Sequence, residues 1–460
     1  MERKTDWNGK RVIILGGARQ GQAAARWLIR HGAVVTVNDN RSFEEMSAAR
    51  LALADIPVKW VLGSHPVEML DEADILCISG GVPLDNPLVV AANQRAIPLT
   101  NDTQIFMEGI PCQSIGITGS AGKTTTTALV GSMACNAMGD RAYVGGNIGD
   151  PLLNYVDEMT PDDLAILEIS SFQLEQMTIS ANIAAILNIT PNHLNRHGTM
   201  EAYISAKRRI LEFQEVDDTA VLNRADPGSW NLGSAVRGRL VSFGTTAIPG
   251  RQEGTFLADG MLYLSQRGLE IPLLRRSQIY LRGEHNVMNV LAAFAIGHAA
   301  GLPLDAMLTA AQDFHGVPHR LEFVREWNGA QWYNDSIATA PERTMAAIQS
   351  FTEPIVLLLG GRDKDLPWEA LAAIIRQRVE HVVLFGEAAE KIASALHQTA
   401  GPLPLTLETC QGLEEAIQAA AKVAPRGSVI LLSPGGTSFD QFIDFEERGK
   451  AFRKWVSELS

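Results

Sequence analysis

What the chain lacks narrows its identity first. Across 460 residues no apolar run approaches the roughly 18 needed to cross a bilayer as a helix. The opening stretch, MERKTDWNGK, carries no hydrophobic segment of the kind a secretory leader requires, so a cytoplasmic protein is expected. Cysteine is scarce: Cys77, Cys112, Cys135 and Cys410 are widely spaced, show neither C-x-x-C nor a disulfide-like framework, and read as reduced packing residues. Basic charge is also short, 39 Lys and Arg against 52 Asp and Glu, leaving a net charge of −13. That excludes a general nucleic-acid binder, because a phosphate backbone needs a basic face. Small anionic ligands stay open, since loops and helix N-termini bind them locally whatever the global charge. No segment is of low complexity, and the length leaves room for about three domains with ample cores.

What is present is organised around Ser114 to Leu129, SIGITGSAGKTTTTAL. An apolar strand, Ile115 to Ile117, runs into Gly119-Ser120-Ala121-Gly122, and then Lys123, Thr124 and Thr125 open an apolar helical pattern. Small residues let backbone N–H groups approach an anion, and a helix N-terminus adds positive partial charge. Lys123 can reach β and γ phosphate oxygens, and the Thr124 hydroxyl suits Mg²⁺. The pattern G-x-x-x-x-G-K-S/T would place a glycine where Ile117 stands, so this is the shortened form T-G-x-x-G-K-T.

Upstream, Arg11 to Leu15 reads as a strand, GGARQG as a turn, QAAARWLIRHG as a helix, and Val34 to Val37 as a second strand ending at Asn38-Asp39-Asn40-Arg41. This βαβ unit, with an acidic residue closing its second strand, either holds a nucleotide or is a structural turn. Ala18 at the second glycine position of G-x-G-x-x-G weighs against a dinucleotide. A further strand, Ile75 to Ile78, leads into SGGVPLDNP, and Pro98 to Thr103 reads as the exit from a first domain, 1–102.

In a second domain, 103–317, a glycine-rich turn carries Asn147, and Leu164 to Ile169 ends in Glu168 beside Ser170-Ser171. A carboxylate closing a strand downstream of a phosphate loop serves Mg²⁺ or water, or else caps the next helix. His193 and His197 follow another strand and Lys207 lies on the next helix; by themselves they read equally as structural histidines and a solvated lysine. The runs LVSFG and GMLYLSQRGLEIPL are expected to form a small antiparallel patch. Asn286 and Asn289, three apart, share one face of a helix start. A third domain, 318–460, repeats strand, loop and helix: a strand ending at Asp335, then GGRDKDL, GEAAEKIASAL and SPGGTSFDQF. The expected fold is α/β, with a Rossmann-like first domain, a P-loop ATPase-like second domain of mostly parallel sheet, and a Rossmann-like third.

Taken together, TGSAGKTT, GGNIG, LEISSFQLE, NHLNRHG with its downstream Ala-Lys, GEHNVMN, PHRLE, NDSIAT, GGRDK and SPGGTSFDQF resemble the Mur ligase family of peptidoglycan synthesis, over essentially the whole chain. LEISSFQLE and SPGGTSFDQF resemble its D-glutamate-adding branch. The resemblance implies an ATP-dependent amide ligase that uses UDP-N-acetylmuramoyl-L-alanine and D-glutamate through an acyl phosphate. It implies Thr124 and Glu168 at one Mg²⁺, and His193 with a carbamylated, that is N6-carboxylated, Lys207 at a second. Gly119, Ser120, Ala121, Gly122, Lys123, Thr124, Thr125, Asn286, Asn289, Arg320 and Asp335 would contact ATP. Arg19, Gln20, Asp39, Asn40, Arg41, Ser79, Gly81 and Asn147 would hold the UDP-sugar. Thr339, Lys364, Ser438, Phe439 and Phe445 would receive D-glutamate, and the chain is expected to act as a monomer.

Three residues depart from the family pattern. Ala18 replaces a glycine, Asn195 stands where many members have Asp in H-x-D-R-H, and Ile337 stands where some D-glutamate-adding members have Lys in D-S-K-A-T. A sibling ligase with another acceptor and a binding protein switched by nucleotide are the competing expectations. A dehydrogenase built on the first βαβ unit is disfavoured by Ala18 and by the phosphate loop.

Overall fold

The computed structural model describes residues 5–192, 194–248, 252–402 and 405–460. His193 and the side chain of Asn195 lie outside the described residues. Two compact units form, Met1–Ile279 with Glu284–Asp313, and Tyr280–Gly283 with Phe314–Ser460.

The first unit carries two sheets. Strands β1 Arg11–Leu15, β2 Val34–Asp39, β3 Lys59–Leu62, β4 Ile75–Ile78 and β5 Leu99–Thr100 form a parallel sheet in the order β3-β2-β1-β4-β5. The chain order reverses beside β1, so a crevice opens outside the carboxyl ends of β1 and β4, where open α/β sheets take ligands. The second sheet contains β6 Gln113–Thr118, β7 Ala142–Gly146, β8 Leu164–Glu168, β9 Ile183–Ile186, β10 Thr219–Asn223, β11 Arg239–Gly244, β12 Glu253–Ala258, β13 Met261–Gln266 and β14 Leu269–Arg275. Its order is β14-β13-β12-β11-β10-β9-β6-β8-β7. Here the reversal falls at β6, and the loop after β6 therefore stands in a crevice between the ends of β8 and β9. The antiparallel patch is smaller than the sequence suggested. β11, the LVSFG run, pairs in parallel with β10 and with β12, and only β12, β13 and β14 pair antiparallel. Alternation along β11 fails as a signal because the first helix-covered layer buries Val241, Ser242, Phe243 and Gly244 alike.

These two sheets share one apolar core. Trp27 and Ala24 from the first helix, Ile105 and Phe106, and Leu152 and Val156 belong to the same buried cluster as Ala165 and Leu167 of β8. Trp27 also donates its indole N–H to Asp157 at 2.9 Å, which satisfies the ring's one polar atom.

The second unit holds β15 Glu322–Trp327, β16 Ala330–Asn334, β17 Ile355–Gly360, β18 Val379–Phe385, β19 Thr406–Cys410 and β20 Val429–Gly435, in the order β15-β16-β20-β17-β18-β19. Only β15 runs antiparallel. β17 and β20 are buried at every position, which is why their sequences, IVLLLG and VILLSPG, read as unbroken apolar runs rather than alternating ones. Since β20 inserts between β16 and β17, the loops after these three strands meet at one end of the sheet. Four free cysteines are present, with Cys77 buried and Cys135 exposed. Among the described residues no helix is long and apolar enough to cross a membrane.

On the helix Arg19–Arg30 that follows β1, Gly21 leaves no room for a side chain: an added Cβ would sit 2.0 Å from the Gly16 carbonyl oxygen. Gly21→Ala should therefore destabilise the chain by at least about 1–3 kcal/mol, the usual cost of forcing a methyl into a packed contact. Gly81→Ala, where a Cβ meets nothing within 4 Å, is the control. Urea unfolding of the two variants checks this.

Candidate active site

At the end of β6 the chain turns through Gly119 to Gly122 and enters the helix Lys123–Met138. Asn188, two residues beyond β9, braces the turn from below. Its backbone carbonyl accepts from Ser120 N at 2.9 Å, its side-chain oxygen accepts from Ala121 N at 2.8 Å, and its amide donates to Ala121 O at 3.1 Å. The Ser120 hydroxyl donates to Thr190 O at 2.9 Å and lies 3.0 Å from the Tyr203 hydroxyl. Gly122 caps the helix at φ +84°, a conformation that favours glycine, and a Cβ there would fall 2.3 Å from the Asn289 side-chain oxygen. Asn289 in turn donates to Asn286 at 2.9 Å, so the two asparagines do share a face, and Asn289 is the one against the loop. Thr125 is buried under the turn.

Two lysines converge on one backbone oxygen. Lys123 donates to Gly119 O at 2.9 Å, and Lys207 donates to the same oxygen at 3.1 Å and to the Thr118 hydroxyl at 3.3 Å. Lys207 is 1% exposed. Burial, assisted by the charge of Lys123 and opposed by Glu168, pushes its ammonium down to about 7. The side chain read from sequence as solvated is thus a buried, readily neutralised amine. Beside it, Thr124 donates to Glu168 at 2.8 Å, and Asn147 donates to the other oxygen of that carboxylate at 3.1 Å. Glu168 is buried at the last position of β8 and fixed at both oxygens; it does not cap the next helix, which Ser170 caps with Gln173 in a capping box. Among the described residues no three His, Cys, Asp or Glu side chains cluster as a metal site.

The nucleotide-like crevice of the first sheet touches this loop region. Gln20 donates to Gly146 O at 2.9 Å, next to Asn147. Arg196 donates to Val82 O at 2.6 Å, in the loop after β4 that carries Ser79 and Gly81. Asp39 is committed internally: it accepts from Gly17 N at 2.9 Å and from the Arg41 guanidinium at 2.9 and 2.8 Å. Burial raises its carboxyl, but these bonds outweigh burial and hold it down at about 2. Ser79 donates to Gly16 O at 3.1 Å, while Arg19, Asn40, Arg41 and Gly81 are exposed.

In the second unit, Asp335 follows β16 and is buried. It accepts from Ser433 at 2.8 Å and from Leu321 N at 3.2 Å, yet burial outweighs these bonds and the nearby Arg320 and Arg343, raising its carboxyl to about 7. Thr339, Lys364 and Ser438 come from the loops after β16, β17 and β20, and Lys364 lies 3.5 Å from the Thr339 hydroxyl. The loops are laced by paired backbone bonds between Arg362 and Thr437 at 2.8 and 2.9 Å. Ser438 is buried, Phe439 is 60% exposed, and Phe445 opens the final helix with its carbonyl accepting from Ser336 at 2.8 Å.

Sequence reasoning missed Asn188, Tyr203 and Arg196. Tyr203 had a usable signal, since it precedes Lys207 by four residues on one helix face. Asn188 had none beyond lying past a strand end.

The raised carboxyl of Asp335 sets a pH dependence. Between the ordinary value of 3.8 and about 7 the folded state holds a proton that the unfolded state has lost, so this group's stabilisation is full below the lower value and is lost as pH rises through the higher. Asp335→Asn removes the charge; its side-chain oxygen can still accept from Leu321 N, and its amide can donate to the Ser433 hydroxyl, which reverses that bond. Urea midpoints at about pH 5 and about pH 8 should fall less with rising pH in the variant than in the parent.

Comparison with known proteins agrees with this arrangement. Residues 10–101 match a family model described as the Mur ligase MurD-like N-terminal domain, 117–297 the Mur ligase middle domain, and 319–436 the Mur ligase glutamate ligase domain. A protein of Symbiobacterium thermophilum named UDP-N-acetylmuramoylalanine--D-glutamate ligase is 37% identical over 453 residues, 98% of each chain. One of Acidobacterium capsulatum with the same name is 39% identical, covering 97% of this chain and 96% of its own. Among solved structures, UDP-N-acetylmuramate-alanine ligase MurC of Thermotoga maritima superposes with a TM-score of 0.56 at 20% identity, covering 97% of this chain and 99% of its own. MurF ligase of the same organism, solved in complex with ADP, gives 0.53 at 17%, covering 98% and 96%. With near-complete coverage by relatives above one-third identity and three domain models in register with its three sheets, the chain belongs to the Mur ligase family.

Proposed function

We propose that this protein is an ATP-dependent ligase that joins D-glutamate to UDP-N-acetylmuramoyl-L-alanine in peptidoglycan precursor synthesis. The observation that carries the reading is the loop after β6, where Lys123, Lys207, Thr124 and Glu168 surround one small-residue turn, in a chain whose relatives carry that enzyme's name. Each substrate has its own domain: the UDP-sugar on 1–102, with Arg19, Gln20, Asn40, Arg41, Ser79 and Gly81, joined by Asn147 of the second domain; ATP on 103–317; D-glutamate on 318–460.

The chemical obstacle is to bring one anion onto another, so positioning and charge neutralisation dominate. The γ-phosphoryl group passes to the substrate carboxylate, giving an acyl phosphate and ADP. The amine of D-glutamate then attacks the acyl carbon, loses a proton, and inorganic phosphate leaves as the amide forms. Lys123 and the amides of Gly119 to Thr124 hold the β and γ phosphates.

A hard divalent cation fits the donors present, a hydroxyl and a carboxylate oxygen 2.8 Å apart at Thr124 and Glu168. Mg²⁺ bound there would neutralise charge between phosphate oxygens. Lys207 also fits the carbamate reading, since an amine with its pKa near 7 is substantially neutral at physiological pH and can add CO₂, releasing a proton and becoming an oxygen donor. With His193, that carbamate would hold a second ion.

Two measurements test the reading. ADP release with UDP-N-acetylmuramoyl-L-alanine should require an added amine and be greatest with D-glutamate, compared with L-glutamate and neutral D-amino acids. Release equal with and without any amine would instead indicate a nucleotide-switched binder, and preference for another amino acid a sibling ligase. Lys207→Ala should lose at least about 100-fold in kcat, with partial recovery in millimolar short-chain carboxylates; full activity without them would remove the carbamate.

A further inference from the structure

The acceptor pocket proposed above contains one cation named from sequence, Lys364, whereas D-glutamate brings two carboxylates. The side chain at 337, in the loop after β16, is an isoleucine and carries no charge. The structure supplies one from the next element. Arg343, on the helix Pro341–Gln349, folds back so that its guanidinium donates to the Ile337 carbonyl at 3.2 Å. That carbonyl also accepts from Thr339 N at 2.9 Å, and the Thr339 hydroxyl is the atom beside the Lys364 ammonium. Arg343 and Lys364 therefore flank the same three residues, 337 to 339, at the C-terminal end of the sheet. Both are exposed, and neither forms an ion pair within its unit among the described residues.

Other cations of the unit are matched by acids: Arg362 to Glu387 at 2.9 Å, Lys391 to Asp363, and Arg282 to Glu353 at 2.6 Å. Of the acids around the pair, Asp363 and Asp365, which flank Lys364 in sequence, both pair with Lys391, and Asp335 is buried and accepts from Ser433 and Leu321 N. Two exposed cations on either side of a strand-end loop, each bonded to the loop and neither in an ion pair among the described residues, match a ligand with two carboxylates a few bonds apart. A guanidinium adds the forked donor geometry that suits a carboxylate.

We propose that Arg343 is a second carboxylate-binding residue, and that Arg343 and Lys364 together select a dicarboxylate acceptor, each holding one of its two carboxylates. The inference rests on the ligase reading and deepens it: the charge that residue 337 lacks is delivered by a side chain six positions later, from a different element. Arg343 touches no reacting atom, so its effect is on acceptor affinity and not on phosphoryl transfer.

The test measures KM and kcat for D-glutamate, D-glutamine and D-isoglutamine, the two amides each removing one carboxylate charge. Arg343→Ala should raise the D-glutamate KM roughly 10- to 100-fold with kcat within about twofold, and leave the KM values for ATP and the UDP-sugar unchanged, as expected for loss of a charge-assisted bond. Arg343→Lys should recover part of the loss, because it keeps the charge without the fork. Its penalty should vanish with one of the two amides, and that of Lys364→Ala with the other. An unchanged D-glutamate KM in Arg343→Ala overturns the proposal, as does a penalty that persists with both amides, which would mark a merely structural arginine. If the parent protein forms no amide with D-glutamate, the ligase reading itself fails, and the role of Arg343 falls with it; a parent that does so beside an indifferent Arg343→Ala rejects only the latter.

Discussion

The carbonyl oxygen of Gly119 receives two lysine side chains, and the rest of the central site depends on that convergence. Two ammonium groups on one oxygen repel each other unless one gives up its proton or gains an anion, and burial decides which: Lys207 is enclosed and Lys123 is not. The pair thereby divides labour. Lys123 stands at the mouth of the turn, while Lys207 becomes an amine whose state follows its surroundings. In a chain of net charge −13, this is also how a locally cationic site is kept without a basic surface.

Strand order explains why so many separate motifs converge. Each of the three sheets reverses its winding at one point, and the loops that leave it there carry the residues that stood out in sequence: Gly16 to Arg19 and Ser79 to Gly81 in the first, Gly119 to Lys123 in the second, Thr339, Lys364 and Ser438 in the third. Strands such as β17 and β20 are buried throughout, so the scaffold behind these loops has little freedom. Within the first unit, Gln20 and Arg196 tie the first sheet's loops to the second's by side-chain to backbone bonds. These bonds need no particular partner side chain, and so leave no paired signature in sequence.

Legibility followed from the physics of each feature. Backbone demands were readable, because a turn that must approach an anion or adopt a left-handed φ is written in glycine, as at Gly122. The run of apolar residues leading into each site loop was readable for the same reason as any buried parallel strand. Electrostatic context was not. Lys207 reads as solvated on its helix until the sheet encloses it, and Asp335 reads as an ordinary carboxylate until Ser433 and the β16 loop bury it. The antiparallel patch was overdrawn because β11 has the composition of an edge strand and the burial of an inner one.

Asp39 shows how an expected ligand can be engaged by its own chain. An acid at the end of the second strand of a βαβ unit is ordinarily read as a ribose ligand. Here both oxygens are occupied by Gly17 N and the Arg41 guanidinium, and those bonds prevail over burial to keep the group ionised. A ribose hydroxyl would have to displace one of them, and breaking a charge-assisted bond to make a neutral one is unfavourable. The carboxylate is better placed to shape the site than to touch its occupant: it closes the turn at Gly17 and fixes Arg41, which remains exposed and cationic at the rim. For a uridine diphosphate in this crevice, the attractive charge is then that of Arg41, and the acid is what makes the arginine's position definite.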